Sequence, residues 1–186
     1  MKPILALSLC ALLTFCSIAE AQTAGKAQEP EYDFVYHYLD PASGSLMALE
    51  RQTPNANFKL RFMGYGGGRT AYEVRGGRST VRFKAGEKIE LVVRGIPATV
   101  DPATVITLVR FEAKKDKREL VTIKVGAMGM GSKTMSPESG GLPINTVKYG
   151  SYSLKISPAD PLAPGEYGII SANQFFCFGI DPADRR

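Results

Sequence analysis

The sequence predicts an all-β fold, an antiparallel sandwich or barrel, and three observations predict it. The chain is a series of short alternating runs separated by turn residues, the pattern of half-buried strands. Asp-Pro recurs at Asp40-Pro41, Asp101-Pro102, Asp160-Pro161 and Asp181-Pro182, each outside such a run, where Asx and Pro chemistry favours turns. No window carries a sustained helical period with a cap at each end.

In chain order, DFVYHYL alternates, with Phe34, Tyr36 and Tyr38 on one face and Val35, His37 and Leu39 on the other. DPASGS turns the chain into LMALERQ, read as one strand. FKLRFMG follows TPNAN, and TAYEVRG follows YGGGR. STVRFKAGEKIELVVRG reads as two strands around Ala85-Gly86-Glu87, with Val81 and Phe83 alternating with Arg82 and Lys84 in the first. ITLVRFEAKKDKRELVTIKVG is the clearest hairpin, two β-branched runs joined by a charged tip over Lys114 to Arg118. SYSLKIS places Tyr152, Leu154 and Ile156 on one face, and EYGII and FFCFGI close the chain across Ser171-Ala172-Asn173.

The ending narrows the fold. PLAPGEYGII resembles the L-x-P-G-x-x-Y pattern that leads into the penultimate strand of fibronectin type III and related immunoglobulin-like domains. That resemblance implies an immunoglobulin-like or related antiparallel β-sandwich. It also implies that Leu162 and Tyr167 are structural anchors, the Tyr hydroxyl bonding back to nearby backbone, and that FFCFGI is the last strand. The ending PLAPGEY…FFCFGID also resembles that of uncharacterised exported bacterial proteins, a resemblance that brings no activity with it.

The first residues, MKPILALSLCALLTFCSIAEAQ, predict the compartment. Lys2, an apolar run from Ile4 to Ile18 and the small-x-small triplet Ala19-Glu20-Ala21 read as a secretory signal over 1–21. The run is short for a membrane span, which takes about 20 apolar residues. A lipid-accepting Cys would follow a small residue, whereas Leu9 and Phe15 precede Cys10 and Cys16. The expected organisation is therefore a signal over 1–21, a flexible polar linker over 22–30 and a single sandwich domain over 31–183, working in the periplasm or outside the cell. Cleavage leaves Cys177 alone, so no intramolecular disulfide is expected, and its place in FFCFGI reads as a buried small apolar residue.

The formal charge is +5, and the excess is uneven. Between Phe58 and Arg94 stand Lys59, Arg61, Arg69, Arg75, Arg78, Arg82, Lys84, Lys88 and Arg94 against Glu73, Glu87 and Glu90. Such a band suits an anionic partner. In an exported protein that means an envelope polymer or another protein's acidic face, with nucleic acid not expected. Arg69, Arg75, Arg78, Arg82 and Lys84 are the candidate contact residues. A solvated strand face is the plainer reading of the same charges.

Motifs for chemistry are sparse. VTIKVGAMGMGSKT (Val121 to Thr134) approaches a phosphate-cradling loop, but Ser132 separates Gly131 from Lys133, and MSPESGGLP cannot sustain the helix such a loop needs. It reads as an inter-strand loop with Met128 and Met130 available to pack on the sheet. GYGGGR carries Arg69 where a dinucleotide fingerprint needs its third Gly, and reads as a turn or bulge between strands. The sole His, His37, sits in an alternating run and reads as a sheet-face or core residue. No metal set, cofactor motif or hydrolase elbow is present in the sequence. Glu112, Glu119, Glu138 and Glu166 read as surface or turn residues. The expected function is a non-catalytic exported binding protein. A carboxylate-dependent envelope carbohydrate hydrolase and a structural protein that self-assembles through its edge strands are the alternatives.

Overall fold

The computed structural model describes residues 27–60, 67–126, 131–134 and 141–183. The signal over 1–21, the first part of the linker, Arg61, Gly64 to Gly66, Met128, Met130 and Glu138 lie outside the described residues. The described chain is all-β, as the alternation predicts. Its strands are β1 (His37–Leu39), β2 (Leu46–Ala48), β3 (Glu50–Gln52), β4 (Asn55–Leu60), β5 (Gly68–Arg75), β6 (Arg82–Lys84) and β7 (Leu91–Arg94). After a single helical turn, α1 (Pro102–Val105), come β8 (Thr107–Ala113), β9 (Lys117–Val125), β10 (Ser132–Thr134), β11 (Ile144–Tyr149), β12 (Ser153–Pro158), β13 (Gly165–Ser171) and β14 (Gln174–Asp181).

Two sheets form the sandwich. The smaller runs β11-β12-β7-β1-β2, and the larger runs β3-β14-β13-β8-β9-β5-β4, with β10 beside β9 and β6 parallel to β14. Between them lies the main core. Tyr36, Tyr38, Leu91, Val93 and Ile156 of the small sheet and its approaches meet Leu108, Tyr167, Ile169, Phe176, Phe178 and Ile180 of the large one. Each set recurs at every second residue because a strand shows alternate side chains to one face.

The large sheet then rolls over its own back face. β8 and β9 share only two ladder pairs, Glu112↔Glu119 and Ala113↔Arg118. Beyond them β8 stays with β13 while β9 turns away to β5, where a register shift at Thr70/Ala71 marks a bulge that sharpens the twist. The roll brings Val74 of β5 into a second core with Val109, Phe111, Phe175 and Cys177, and sets Tyr72 edge-on to Phe175 at 6.1 Å between ring centroids. β14 is therefore covered on both faces from Phe175 to Ile180. That is why FFCFGI is a continuous apolar run and not an alternating one.

Turn chemistry follows the sequence closely. Asp40 accepts from Ala42 N–H at 2.9 Å and from Ser43 Oγ at 2.6 Å in the β1–β2 turn. Asp101 caps α1 through Ala103 N–H at 3.0 Å, with Pro102 opening the helix, so this Asp-Pro starts a helical turn. Ala172 and Asn173 both have positive φ, 47° and 60°, as a two-residue hairpin between β13 and β14 requires. Tyr167 Oη donates to Ala163 O at 2.7 Å, and Leu162 packs partly buried on the main core, so both residues hold the places the tyrosine-corner pattern implies.

Several expectations are corrected. LMALERQ is two strands: at Leu49 the chain crosses from the small sheet to the large one, and Leu49 N–H bonds Tyr36 O at 3.0 Å. DFVYHYL is strand only from His37, because Phe34 takes a positive φ of 59° and its side chain is exposed. The hairpin tip shrinks to Lys114–Asp116, and Arg118, placed on the tip by its charge, is a fully buried strand residue. The end of the polar linker belongs to the fold: the Glu29 carboxylate accepts from Ser151 N–H at 2.7 Å, Tyr152 N–H at 2.9 Å and Ser153 Oγ at 2.7 Å.

Two substitutions test this packing. Tyr167→Phe removes one hydrogen bond and no volume, so it should cost about 1 kcal/mol in a denaturant melt with an unchanged circular dichroism spectrum. Gly168→Ala sets a Cβ 2.6 Å from the Phe111 ring, so it should cost more, on the order of 1–3 kcal/mol.

Candidate functional site: a basic end over a buried ionic seam

The roll of the large sheet closes at one end on charge. Arg118 lies on β9 with its side chain wholly buried, and four of its five N–H groups have hydrogen-bond acceptors. Its Nε donates to Gly76 O at 3.0 Å and its Nη2 to Arg75 O at 2.9 Å, at the end of β5 and just beyond it. Nη2 also donates to Glu50 Oε1 at 2.7 Å and Nη1 to Oε2 at 3.4 Å, while Glu166 Oε2 stands 3.7 Å from Nη1. Glu50 reaches this point because it pairs with Cys177 across β3–β14 and so shares the inward face of β14.

The two carboxylates are held from the other side by the segment leading into β6. Glu50 accepts from Thr80 N–H at 2.9 Å, Ser79 Oγ at 2.5 Å and Gln52 Nε2 at 2.7 Å. Glu166 accepts from Ser79 N–H at 2.8 Å and from Arg82 Nη1. Arg82 continues outward, donating from Nη2 to Asp181 Oδ1 at 2.6 Å and from Nε to Oδ2 at 3.3 Å. Arg78 Nη2 reaches the same Asp181 oxygen at 2.6 Å from the solvent side. Gly179 makes room for this chain: a Cβ there would stand 1.7 Å from Arg82 Nη1 and 2.8 Å from Glu166 Oε1. Glu166 is thus a seam residue and not the surface or turn residue its PGEY context suggests.

Of the five candidate contact residues, three gather at this end: Arg78 and Arg82 share Asp181, and Lys84 is its ladder partner across β6–β14. Arg75 lends its carbonyl to Arg118, but its ladder partner is Lys117, so its side chain stands on the outer face of the roll. Arg75 and Lys84 are exposed and in no ion pair among the described residues, and Arg78 is 71 % exposed despite its bond to Asp181. The surface layer of this end is therefore Arg78 and Lys84 over Asp181, with Arg75 on the adjoining outer face. Glu87 adjoins it, accepting from Lys84 N–H at 3.0 Å.

Arg69 is elsewhere. It pairs with Glu119 on the outer face of β9, in a row where Glu112, Glu119 and Glu73 face one another across β8, β9 and β5. Lys59, Lys114 and Lys117 close over the same row, Lys117 Nζ standing 2.8 Å from Glu119 and 2.7 Å from Glu73. The Glu119 side chain is fully covered, which corrects its reading as a surface residue; Glu112 remains half exposed. Lys88 pairs with Glu90 and Arg94 with Asp33, so most of the basic band is neutralised by the protein's own carboxylates.

The other candidates for chemistry are placed as follows. Ser132–Thr134 is strand β10, returning antiparallel along β9, so a strand stands where a phosphate loop needs a helix. Of the glycine-rich GYGGGR segment, Gly68 and Arg69 open β5, opposite Leu60 and Lys59 of β4. His37 Nδ1 lies 3.1 Å from Val35 O on β1, on the sheet face. Burial pushes the Cys177 thiol up to about 12, which keeps it protonated and unreactive. A groove of 310 Å³ beside the β6–β7 turn is lined by Glu87 and Asp160, and Glu87 gives both oxygens to Tyr38 Oη and Lys84 N–H. A larger groove of 590 Å³ runs past Arg94, Ile96, Val100, Lys148 and Tyr152.

The fold and site together define a rolled β-sandwich whose one end carries a surface cation layer on a buried ionic seam. Compared with protein-family models, curated proteins and solved structures, the chain matches none.

The seam should show in acid. Burial alone would raise the Glu50 carboxyl, but Arg118, Ser79, Gln52 and Thr80 outweigh it and hold it at about 2, against about 4.5 when unfolded. Burial likewise opposes Lys114, Lys117 and Arg69 at Glu119, which also sits at about 2. A depressed folded pKa stabilises in full above the unfolded value and is lost as pH falls toward the folded one. Thermal melts should therefore hold steady above about pH 5 and fall steeply between about pH 4.5 and 2, each carboxyl contributing on the order of 3 kcal/mol. Glu50→Gln should lower stability at neutral pH by roughly 3–5 kcal/mol, because it strands Arg118, and should flatten the acid slope. An unaltered slope in that variant would remove Glu50 from this role.

Proposed function

We propose that this is an exported, non-catalytic β-sandwich protein that binds an anionic polymer of the cell envelope through Arg75, Arg78 and Lys84. One observation carries the reading. Arg75 and Lys84 are exposed and in no ion pair among the described residues, and Arg78, though bonded to Asp181, is 71 % exposed. Over deeper charges that already neutralise one another, charge is therefore left on these cations for solvent or for a partner. Their backbones are fixed by the seam, through the Arg75 and Gly76 carbonyls and the ladder between Lys84 and Asp181. A preorganised set of cations loses less entropy on binding than a mobile one.

The alternative, carbohydrate hydrolysis by paired carboxylates, draws less support. General acid catalysis needs a carboxyl that stays protonated near neutral pH. Glu50 and Glu119 are held at about 2, and Glu87 gives both oxygens to internal donors.

Retention of the purified protein on isolated envelope material, measured across a salt series, tests the proposal. Retention should fall steeply as salt rises, since exposed charge pairs are screened. Replacing Arg75 and Lys84 together by Gln should weaken retention by about thirtyfold, at roughly 1 kcal/mol per cation against an anionic surface, with the melting temperature unchanged. Retention that survives high salt, or that ignores the double substitution, would overturn the reading.

A further inference from the structure

The small sheet ends in a strand that is built to continue. β11 pairs with β12 in unbroken register over six residues, from Ile144↔Pro158 to Tyr149↔Ser153, with no bulge. Its four central residues, Asn145 to Lys148, are exposed. The opposite edge of the same sheet, β2, is only three residues long, a common way to blunt an edge.

Which backbone groups of β11 look outward follows from two hydrogen bonds. Ala159 N–H donates to Pro143 O at 2.9 Å, so Pro143 and Ala159 form a bonded pair, and the odd residues Asn145, Val147 and Tyr149 turn theirs toward β12 in the same way. On the far side of β12, Gly95 N–H donates to Tyr152 O at 3.4 Å, so the even residues of β12 serve β7 and its odd residues serve β11. The edge, unpaired among the described residues, therefore presents the N–H and C=O of Ile144, Thr146 and Lys148.

We infer that β11 is a self-association edge, where a second copy of this chain pairs antiparallel about a twofold axis through Thr146. In that register Thr146 faces Thr146 of the copy as a bonded pair, and Ile144 faces Lys148 on each side. Lys148, the one charged residue of the strand, then meets no like charge, whereas a parallel pairing would set the two lysines side by side. Cross-strand Thr–Thr pairs are favourable, and on the outer face the two Val147 side chains, 53 % exposed in the single chain, meet diagonally across the axis. The product is a single ten-stranded sheet from two five-stranded ones, a closed isologous contact.

Sedimentation velocity of the purified protein over a concentration series tests the inference. The wild-type chain should show a reversible monomer–dimer equilibrium. Thr146→Lys and Thr146→Glu each place like charges on the axis and should each weaken the dimer by about tenfold, while their equimolar mixture should restore it. Thr146→Pro removes only an outward N–H, so it should abolish the dimer and leave the melting temperature nearly unchanged. A wild-type chain that stays monomeric at every concentration overturns the inference. So does a dimer indifferent to the three substitutions, or a mixture that fails to recover. The readout is independent of envelope retention, so either idea can fail alone.

Discussion

A fully buried guanidinium is the constraint on which the rest of this fold turns. The Arg118 side chain is cut off from water, so its charge has to be met inside the protein by fixed acceptors. Glu50 comes from a strand 68 residues earlier in the chain, and the Gly76 and Arg75 carbonyls from the end of β5, over 40 residues earlier. Glu166 supplies the second carboxylate from β13, and Arg82 balances it from β6. Five separate pieces of chain must be in register before the charges cancel. Removing one partner of such a set costs roughly 3–5 kcal/mol, although an apolar replacement of the whole set can be as stable. The seam is therefore better understood as a device that fixes which strands meet than as a source of net stability.

What it fixes is the roll. β8 and β9 hold each other for only two pairs, and the second of these carries Arg118. If β9 continued alongside β8, Arg118 would stay with its hairpin partner and the back faces of β13 and β14 would be left open. By turning toward β5, β9 carries Arg118 to Glu50 and lays Val74 and Leu120 over Phe175, Cys177 and Phe111. The apolar and the ionic halves of this inner face are two consequences of one bend. The same bend explains two glycines on β13 and β14. Gly168 lies against the Phe111 ring in the apolar half and Gly179 against the Arg82 guanidinium in the ionic half.

Much of this was legible in the sequence where the determining forces are local. The turns at Asp40 and Asn173, the tyrosine corner at Tyr167, the β8–β9 hairpin and the final apolar strand all depend on residues a few positions apart. The roles of Arg118, Glu119 and Glu166 were not legible, because KKDKRE reads the same whether the strand's charges face water or a partner 68 residues away. Alternation assigns residues to two faces but cannot say that both faces are buried. The one available signal was FFCFGI itself: a continuous apolar strand demands cover on its second side, and the segment supplying that cover carries Arg118. LMALERQ failed for a related reason. Its apolar pattern is continuous, and only the pairing of Leu49 with Tyr36 reveals that the chain changes sheets there.

The basic band changes meaning once it is folded. In sequence its nine cations read as one surface, but Lys59 and Arg69 neutralise Glu119 on one face of the roll while Arg78 and Arg82 converge on Asp181 at its end. Charge that serves the fold is charge withdrawn from long-range attraction, since a neutralised pair has little field beyond a Debye length of about 8 Å. The net excess of the protein must then act through the few cations the fold does not use. Arg75 and Lys84 are of this kind, and neither is free to wander: the carbonyl of one holds Arg118, and the backbone of the other is paired with Asp181. Interior and surface are thus coupled through the main chain. Arg75 presents its charge to solvent from a backbone that the buried Arg118 holds in place.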